Sequence, residues 1–264
     1  MHVIVTGGSS GIGLEVARIY ACRGARVSII ARTAAMLESA VVDLRSTGKA
    51  DIRCERADVA NDSEISRAVD ACEAAFGPCD VLVASAGMVE PAFFDQQSQS
   101  DFSRQIDVNL LGTANAVRSV YAGMKSRGQG AIMIVSSGAA LIGIPGYTAY
   151  CASKSALTGF AEALQAESVG DGVTISLCFP PDTETPQFAR ELEHRPLEAT
   201  VIMGRVAPWP SSAIALRIVR AIDKGQFEVF FGWTLWALGR FGATVKPVLN
   251  WWFDRGIRRM IPRR

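Results

Sequence analysis

The sequence predicts an α/β fold: a single Rossmann-like domain with a doubly wound parallel sheet between helices, followed by a C-terminal amphipathic extension. Three observations lead to this fold class. Short apolar runs rich in Val and Ile alternate with amphipathic segments along the chain. The runs are continuously apolar, which is typical of strands buried on both faces of a parallel sheet. Strand–helix alternation also implies right-handed crossovers, which place helices on both faces.

The elements follow one another in chain order. Strands are predicted where apolar runs of four to six residues occur, at 3–6, 26–31, 52–56, 81–85, 131–136, 174–179 and 227–231. Helices are predicted where apolar residues recur with a helical period, at 12–22, 35–45, 64–76, 101–125, 149–169 and 211–224. The 264 residues, 49% of them hydrophobic, suffice for one large domain and exclude a disordered or collagen-like chain.

One long excursion interrupts this alternation. Residues 180–210 contain several prolines and follow the sixth strand. Connections of this length are uncommon in compact domains and often form lids or binding elements. We therefore assign 1–231 to the Rossmann-like domain, with 180–210 as its substrate loop, and 232–264 to a tail.

Charge is distributed unevenly along the chain. The total is +1, from 27 Lys and Arg against 26 Asp and Glu. From Arg240 onward there are seven basic residues and one acidic residue, a net charge of +6, so residues 1–239 carry −5. Four of the five Trp residues also lie in the last 32 residues. The near-neutral total is therefore the average of a mildly acidic body and a basic, Trp-rich tail.

The cysteines and the apolar runs bear on the cellular compartment and on whether the chain crosses a membrane. The six cysteines are scattered without C-x-x-C or Cys/His pairing, which favours reduced thiols in the cytoplasm and no metal site. Met1-His2 leads directly into the first strand, so no signal peptide is expected. The run 128–153 is broken by Gly, Ser and Pro, and the run 229–239 is far shorter than the roughly 20 residues of a spanning helix.

A glycine-rich turn joins the first strand to the first helix. Residues 6–13 read Thr-Gly-Gly-Ser-Ser-Gly-Ile-Gly. Glycine at 7, 11 and 13 permits a tight turn, and the helix N-terminus behind it offers free N–H groups and a positive dipole end to a pyrophosphate. In the first βα turn of a Rossmann-like pattern this indicates a dinucleotide site rather than an ordinary glycine-rich turn.

The residue after the second strand bears on the choice of dinucleotide. An NAD site places an acid there for the ribose 2′-OH, whereas this strand ends in Arg32. A guanidinium suits a 2′-phosphate, so the sequence favours NADPH; the alternative is a solvated surface charge. Asp58, after the third strand, can bond the adenine amino group or serve as a helix N-cap or turn residue.

A second group of residues carries the chemistry. Tyr150 and Lys154 share one helical face, a turn apart. A carbonyl that receives hydride also needs a proton, and Tyr, with a pKa of about 10, is a poor acid at neutral pH unless its phenolate is stabilised. Lys154, together with an oxidised nicotinamide, is expected to lower the pKa of Tyr150 toward neutrality. Ser137 can polarise the substrate oxygen, and Asn109, inside a helix, can hold a water that links Lys154 to solvent.

Each of these residues has an ordinary alternative, such as a surface Tyr/Lys pair or a solvated Asn, but their joint occurrence is specific. Through the elements T-G-x-x-x-G-x-G, N, S and Y-x-x-x-K, the chain resembles the short-chain dehydrogenase/reductase family over roughly residues 1–231. The resemblance implies NAD(P)(H)-dependent carbonyl or alcohol chemistry and a homo-oligomer. It implies that Tyr150 donates the proton, Lys154 tunes Tyr150 and binds the nicotinamide ribose, Ser137 orients the substrate and Asn109 supports a proton relay.

The same resemblance extends to the cofactor site. The residues expected to bind NADPH are Gly7, Ser9, Ser10, Gly11, Ile12, Gly13, Arg32, Asp58, Val59, Gly87, Tyr150, Lys154, Thr183 and Thr185. Two positions depart from the family pattern. The usual N-N-A-G after the fourth strand is Ala-Ser-Ala-Gly at 84–87, and Met36 stands where a second basic residue often follows Arg32.

The substrate loop points to a narrower group. Residues 179–188, Phe-Pro-Pro-Asp-Thr-Glu-Thr-Pro-Gln-Phe, resemble the P-P-D-T-x-T-P-x-F segment of family members that reduce long-chain 3-keto sphingoid bases, and 86–88 and 195–198 are also similar. This implies NADPH-dependent reduction of such a lipid ketone in sphingolipid synthesis. Two alternatives stay open: a reductase of another apolar ketone, such as a 3-oxoacyl or steroid substrate, and a non-catalytic NADPH-binding membrane scaffold.

The tail has the pattern of a helix that lies on a membrane. A basic set at i, i+3, i+4 comprises Arg255, Arg258 and Arg259, and an apolar set at i, i+4, i+7, i+8 comprises Phe253, Ile257, Met260 and Ile261. Separate basic and apolar faces, with Trp at headgroup level and about 1 kcal/mol per Arg near an anionic surface, are typical of interfacial helices. We therefore expect peripheral contact of 232–264 with the cytoplasmic face of a membrane. The alternative is that these aromatics cover the core or an oligomer interface. Nucleic acid is not an expected partner, because the basic residues lie beside a large apolar face.

Overall fold

The central sheet has seven parallel strands, as the sequence predicts. The computed structural model describes residues 1–48, 50–204 and 207–260. The sheet strands are β1 His2–Thr6, β2 Arg26–Ala31, β3 Ile52–Arg56, β4 Val81–Ala84, β5 Gly130–Val135, β6 Val173–Phe179 and β9 Glu228–Phe230, and the short strands β7 Thr183–Glu184 and β8 Trp209–Pro210 pair separately. The sheet order is β3-β2-β1-β4-β5-β6-β9. This doubly wound order confirms the predicted fold class.

Ten α-helices are described. They are α1 Gly11–Cys22, α2 Ala34–Arg45, α3 Asp62–Phe76, α4 Gln99–Ile106, α5 Gly112–Arg127, α6 Thr148–Glu167, α7 Pro186–His194, α8 Ala199–Met203, α9 Ser211–Asp223 and α10 Trp233–Met260. No helix of the described segments is long and apolar enough to cross a membrane.

The continuous apolar strands divide their side chains between two cores. In β1, Val3 and Val5 pack with residues of α1, α2 and α9, whereas Ile4 packs with residues of α3, α5 and α6. All three are fully buried. Successive side chains of a strand point to opposite faces, so a strand buried on both faces has to be apolar throughout.

The helix predicted over 101–125 is not a single regular helix. After α4 the chain makes a π-helical turn, Asp107–Leu111, before α5 begins at Gly112. A Cβ at Gly112 would come within 2.5 Å of Val59 Cγ2, so this glycine lets the helix lie close to the loop after β3. π-helical turns inside helices are frequent at functional sites. This one holds Asn109.

The substrate loop is more ordered than a simple excursion. Its two ends are joined by β7 and β8, a parallel pair in which Thr183 lies opposite Trp209. Between them lie α7, which begins at Pro186, and α8. The pairing of β7 with β8 therefore holds the two ends of the substrate loop together. Residues 205–206 of this loop lie outside the described segments.

Most of the tail is one long helix. Helix α10 has 28 residues, with Pro247 inside it, and packs against β9 and α8. The predicted helix over the basic and apolar sets is confirmed as far as Arg259. Ile261 lies outside the described residues, as does the side chain of Met260.

Candidate active site

A cavity of about 1140 Å³ lies at the carboxyl ends of the central strands. The sheet order reverses between β1 and β4, and in doubly wound sheets ligands bind in the crevice at such a switch point. The cavity walls come from the turn after β1, the end of β2, the ends of β4 and β5, helix α6, the substrate loop and α10. The glycine turn, the catalytic helix, the substrate loop and the tail thus all contribute to this wall.

The glycine turn is built for close backbone approach. Gly7 has φ +68°, and a Cβ there would lie 2.8 Å from the backbone of Ala86, at the end of β4. A Cβ at Gly13 would lie 2.5 Å from the carbonyl oxygen of Gly7. Ser10, the N-cap of α1, has no side-chain bond to the helix, so the first N–H groups of α1 are left for a ligand. This cradle fits a pyrophosphate.

The cradle also touches the substrate loop. A Cβ at Gly11, which has φ +54°, would lie 2.8 Å from Thr185 Cγ2. Thr185 is the N-cap of α7 and accepts a bond from Phe188 N. The glycine turn and the substrate loop therefore contact each other directly over the cavity.

Arg32 and Asp58 lie at the same end but differ in position. Arg32 lines the cavity with a largely exposed guanidinium, and its Nη1 is 4.0 Å from Asp58 Oδ2. Asp58 accepts a bond from Ala60 N and does not line the cavity, whereas the adjacent Val59 does. Of the roles considered for Asp58, the structure shows the turn residue; the contact with adenine stays a prediction.

Ser137, Tyr150 and Lys154 converge at the other end of the cavity. Ser137 follows β5, and its Oγ accepts a bond from Ala139 N at 3.1 Å, which leaves the hydroxyl proton for an oxygen in the cavity. Tyr150 and Lys154 lie on α6, and Lys154 Nζ is 5.8 Å from the centre of the Tyr150 ring. Lys154 Nζ also donates to Val135 O at 3.0 Å, which ties the ammonium to the end of β5.

The predicted lowering of the Tyr150 pKa depends on Lys154 together with an oxidised nicotinamide, and it stays a prediction; on balance, the protein's own groups act in the opposite direction. Desolvation raises the pKa of the Tyr150 phenol, and the neighbouring Ser137 hydroxyl opposes this only in part. Burial also lowers the pKa of Lys154 to about 8, because a buried ammonium loses its hydration. Desolvation thus raises the pKa of Tyr150 and lowers the pKa of Lys154, and so favours the neutral form of each group.

Asn109 is buried behind this centre rather than in the cavity wall. Its Oδ1 accepts from Met88 N at 2.8 Å, and its Nδ2 donates to Met88 O and to Ser153 Oγ, both at 2.9 Å. These bonds fix the segment that follows β4 to helix α6, one residue before Lys154. The amide of Asn109 thus positions the site, and its predicted part in a proton relay stays a prediction.

A buried ionic network that the sequence analysis did not predict lies beside Tyr150. The Arg195 side chain, 8% exposed, donates to Asp182 Oδ2 at 2.7 Å and to Glu191 Oε1 at 2.6 Å. Tyr147 Oη donates to the same Glu191 oxygen at 2.7 Å, and its ring packs edge-on against Tyr150. The network therefore joins the beginning of the substrate loop and helix α7 to the start of α6. The i, i+4 spacing of Glu191 and Arg195 was the available sequence signal, but such pairs are usually solvated.

Most of the predicted site residues come together. The cavity wall includes Gly7, Ser9, Ser10, Gly11, Ile12, Arg32, Val59, Gly87, Ser137, Tyr150, Lys154, Thr183 and Thr185. The predicted residues outside the wall are Gly13, Asp58 and Asn109. Gly13 and Asn109 contact wall residues from behind, so their part in the site is to hold its shape.

The arrangement suits the reduction of a ketone. The glycine cradle and Lys154 would hold a nicotinamide dinucleotide, which supplies a hydride when bound. Ser137 donates a hydrogen bond to the carbonyl oxygen, which stabilises the charge that develops there. Tyr150 gives its phenolic proton to the same oxygen. Lys154, one helical turn away, stabilises the phenolate left behind.

The Rossmann-type sheet, the glycine cradle and the Ser–Tyr–Lys group define a nicotinamide-dependent oxidoreductase. A family model described as short chain dehydrogenase matches residues 1–196, and the chain belongs to this family.

Similar proteins are known by sequence and by structure. A 3-dehydrosphinganine reductase of Arabidopsis thaliana is 38% identical over 240 residues, which cover 89% of this chain and 71% of that protein. A 3-ketodihydrosphingosine reductase of Bos taurus is 36% identical over 253 residues, or 94% of this chain and 76% of that protein. A solved structure of actinorhodin polyketide ketoreductase with NADPH has a TM-score of 0.79 and 28% identity, covering 89% of this chain and 96% of that one.

Proposed function

We propose that this enzyme reduces 3-ketodihydrosphingosine to dihydrosphingosine with NADPH, as a step of sphingolipid synthesis. The observation that carries the proposal is the extent of the match to reductases named for that ketone, up to 95% of the chain at 35% identity or more. The match therefore includes the substrate loop and reaches into the tail. The geometry supports it, since one cavity joins Tyr150 to the apolar side chains of α10.

The substrate assignment is tested by following NADPH absorbance with three ketones: 3-ketodihydrosphingosine, a 3-oxoacyl thioester and a steroid ketone. We expect kcat/KM for the sphingoid ketone to exceed the other two at least tenfold. A preference for the thioester or the steroid would overturn the substrate. Tight NADPH binding without oxidation by any ketone would indicate a scaffold instead of an enzyme.

NADPH as the cofactor rests on Arg32. Its guanidinium lines the cavity at the end of β2, and Asp58, whose carboxylate is 4.0 Å from it, lies outside the wall. A cation at this place suits a 2′-phosphate and offers nothing specific to a 2′-hydroxyl.

Arg32→Ala is expected to lower kcat/KM for NADPH about 10- to 100-fold and to leave NADH nearly unchanged, because a hydrogen bond to a charged group contributes about 1.5–3 kcal/mol. Steady-state kinetics with both dinucleotides check this. Arg67→Ala, which removes an exposed arginine of α3, serves as the control and should change neither value. An equal loss of kcat/KM with NADPH and with NADH in Arg32→Ala would mean that Arg32 does not bind the 2′-phosphate.

We also propose that α10 places the enzyme on the cytoplasmic face of a membrane. Trp251 and Trp252 are exposed near its end, followed by the exposed guanidinium groups of Arg255, Arg258 and Arg259. Aromatic rings beside basic groups suit the headgroup region of an anionic bilayer. The homo-oligomer implied by the family resemblance stays a prediction.

The double variant Trp251→Ser, Trp252→Ser is expected to bind anionic vesicles about tenfold more weakly than the wild type, measured by sedimentation. Phe94→Ser removes an equally exposed aromatic ring outside α10 and should sediment like the wild type. Equal partitioning of the wild type and the double variant would remove the membrane proposal.

A further inference from the structure

Helix α10 packs closely against the rest of the domain at two glycines. A Cβ at Gly239 would collide with the ring of Phe230, the last residue of β9. A Cβ at Gly256 would lie 2.7 Å from Val201 Cγ1, on α8. The two contacts are 17 residues apart, or about 25 Å of helix at 1.5 Å per residue. Between them α10 passes along the cavity.

From Leu235 onward, the residues of α10 that line the cavity are apolar. The residues of this apolar stripe are Leu235, Leu238, Phe241, Val245, Leu249 and Phe253. Their spacing of three or four residues places them on one face of the helix. Phe241 and Val245 remain 53% and 38% exposed although they line the cavity, so part of this apolar surface is left open.

The stripe begins beside the reacting group. Leu235 Cδ2 lies 3.1 Å from the place that a Cβ on Gly138 would take. Gly138 directly follows Ser137, so a substrate held by Ser137 and Tyr150 has the first residue of the stripe next to it. From Leu235 to Phe253 the stripe runs for about 27 Å.

We infer that the apolar stripe is the wall of a channel for the hydrocarbon chain of the substrate, an inference that rests on the proposed function. Apolar surface left open in a cavity calls for an apolar occupant, and the cavity is continuous with the catalytic group. One lipid chain spans about half of the roughly 30 Å hydrocarbon core of a bilayer, or about 15 Å. Measured from Leu235, 15 Å of helix ends at about Val245. The channel therefore accepts one long chain whose end lies near Val245.

Val245→Trp tests this channel, with Val248→Trp as the matched control. The same change is made three residues later, at a position that is 68% exposed and outside the cavity wall. We expect Val245→Trp to lower kcat/KM for the full-length sphingoid ketone at least tenfold and to leave a short-chain analogue unchanged. Val248→Trp should change neither value. Thermal unfolding of both variants shows whether they are folded.

A second measurement does not depend on turnover. Calorimetric binding of long- and short-chain 2-amino-1,3-diols should show weaker binding of only the long chain by Val245→Trp. Equal effects on both chain lengths, or no effect, would overturn the channel. So would a changed oligomeric state with an unchanged length profile, because a second copy of the chain would then cover the stripe.

Failure of the channel and failure of the proposed function give different results. A wild-type enzyme that prefers another ketone, but whose preference for longer chains is lost in Val245→Trp, would contradict the sphingoid assignment and support the channel. A wild-type enzyme that reduces the sphingoid ketone equally well at every chain length would support the sphingoid assignment and contradict the channel.

Discussion

Tyr150→Phe is expected to lower kcat for ketone reduction about 10²- to 10⁴-fold, the usual contribution of a positioned general acid. Phenylalanine keeps the ring that packs on Tyr147 and lies 5.8 Å from Lys154 Nζ, but it has no proton to give. Cofactor affinity, measured by fluorescence titration with NADPH, should therefore change little.

Tyr121→Phe is the control for this substitution. Its hydroxyl donates to Asp171, and neither residue lines the cavity, so its loss should leave kcat unchanged. If Tyr150→Phe retained more than a tenth of the wild-type kcat, another group would have to supply the proton. A large loss of NADPH affinity would instead indicate that Tyr150 acts mainly in binding.

Arg195→Met is expected to lower the free energy of unfolding by about 3 kcal/mol or more, because it leaves the carboxylates of Asp182 and Glu191 partly buried without their cation. The pKa values express the same coupling. The two carboxylates raise the pKa of Arg195 against the opposing effect of burial, and burial raises the pKa of Glu191 against Arg195 and Tyr147. Urea unfolding measures the loss, and Arg104→Met, at an exposed position of α4, should be nearly neutral.

A second substitution separates charge from packing. Adding Glu191→Gln to Arg195→Met removes one of the unpaired charges, so part of the lost stability should return. If Glu191→Gln restored nothing, the loss would come from the packing of Arg195 on the Phe188 ring, 5.2 Å away. A single variant as stable as the wild type would mean that the network contributes no net stability.

The central sheet could be predicted because its signal is local. A strand buried on both faces needs an unbroken apolar run, and every predicted strand was found within one residue of its observed ends. The glycine turn and the Ser–Tyr–Lys group were predictable for a related reason. Their chemistry requires particular residue types at fixed distances along the chain.

The features that were missed depend on contacts distant in sequence. Residues 107–111, which form the π-helical turn at Asn109, contain neither Gly nor Pro, so no helix-breaking residue within the turn marks it. Helices α7 and α8 depend on the pairing of β7 with β8 and on Arg195. The buried state of Arg195 follows from two partners that only the folded loop brings together.

The apolar pattern of the tail was compatible with a membrane surface and, as the alternative, with a surface of the protein itself. In the structure Phe253 lines the cavity and Ile257 is half-buried, so these two side chains contact the protein. A helix has more than one side, and the sequence alone does not say which side meets the protein. Trp251 and Trp252, in contrast, are exposed.

The close packing of α10 at Gly239 and Gly256 has an evolutionary consequence. The groups that handle protons lie on the sheet and on α6, whereas the apolar stripe belongs to one helix near the end of the chain. Substitutions between Gly239 and Gly256 can therefore accumulate without disturbing the chemistry, provided the two glycines remain. Divergent descendants of one ancestral reductase could in this way acquire different lipids while inheriting the same catalytic group.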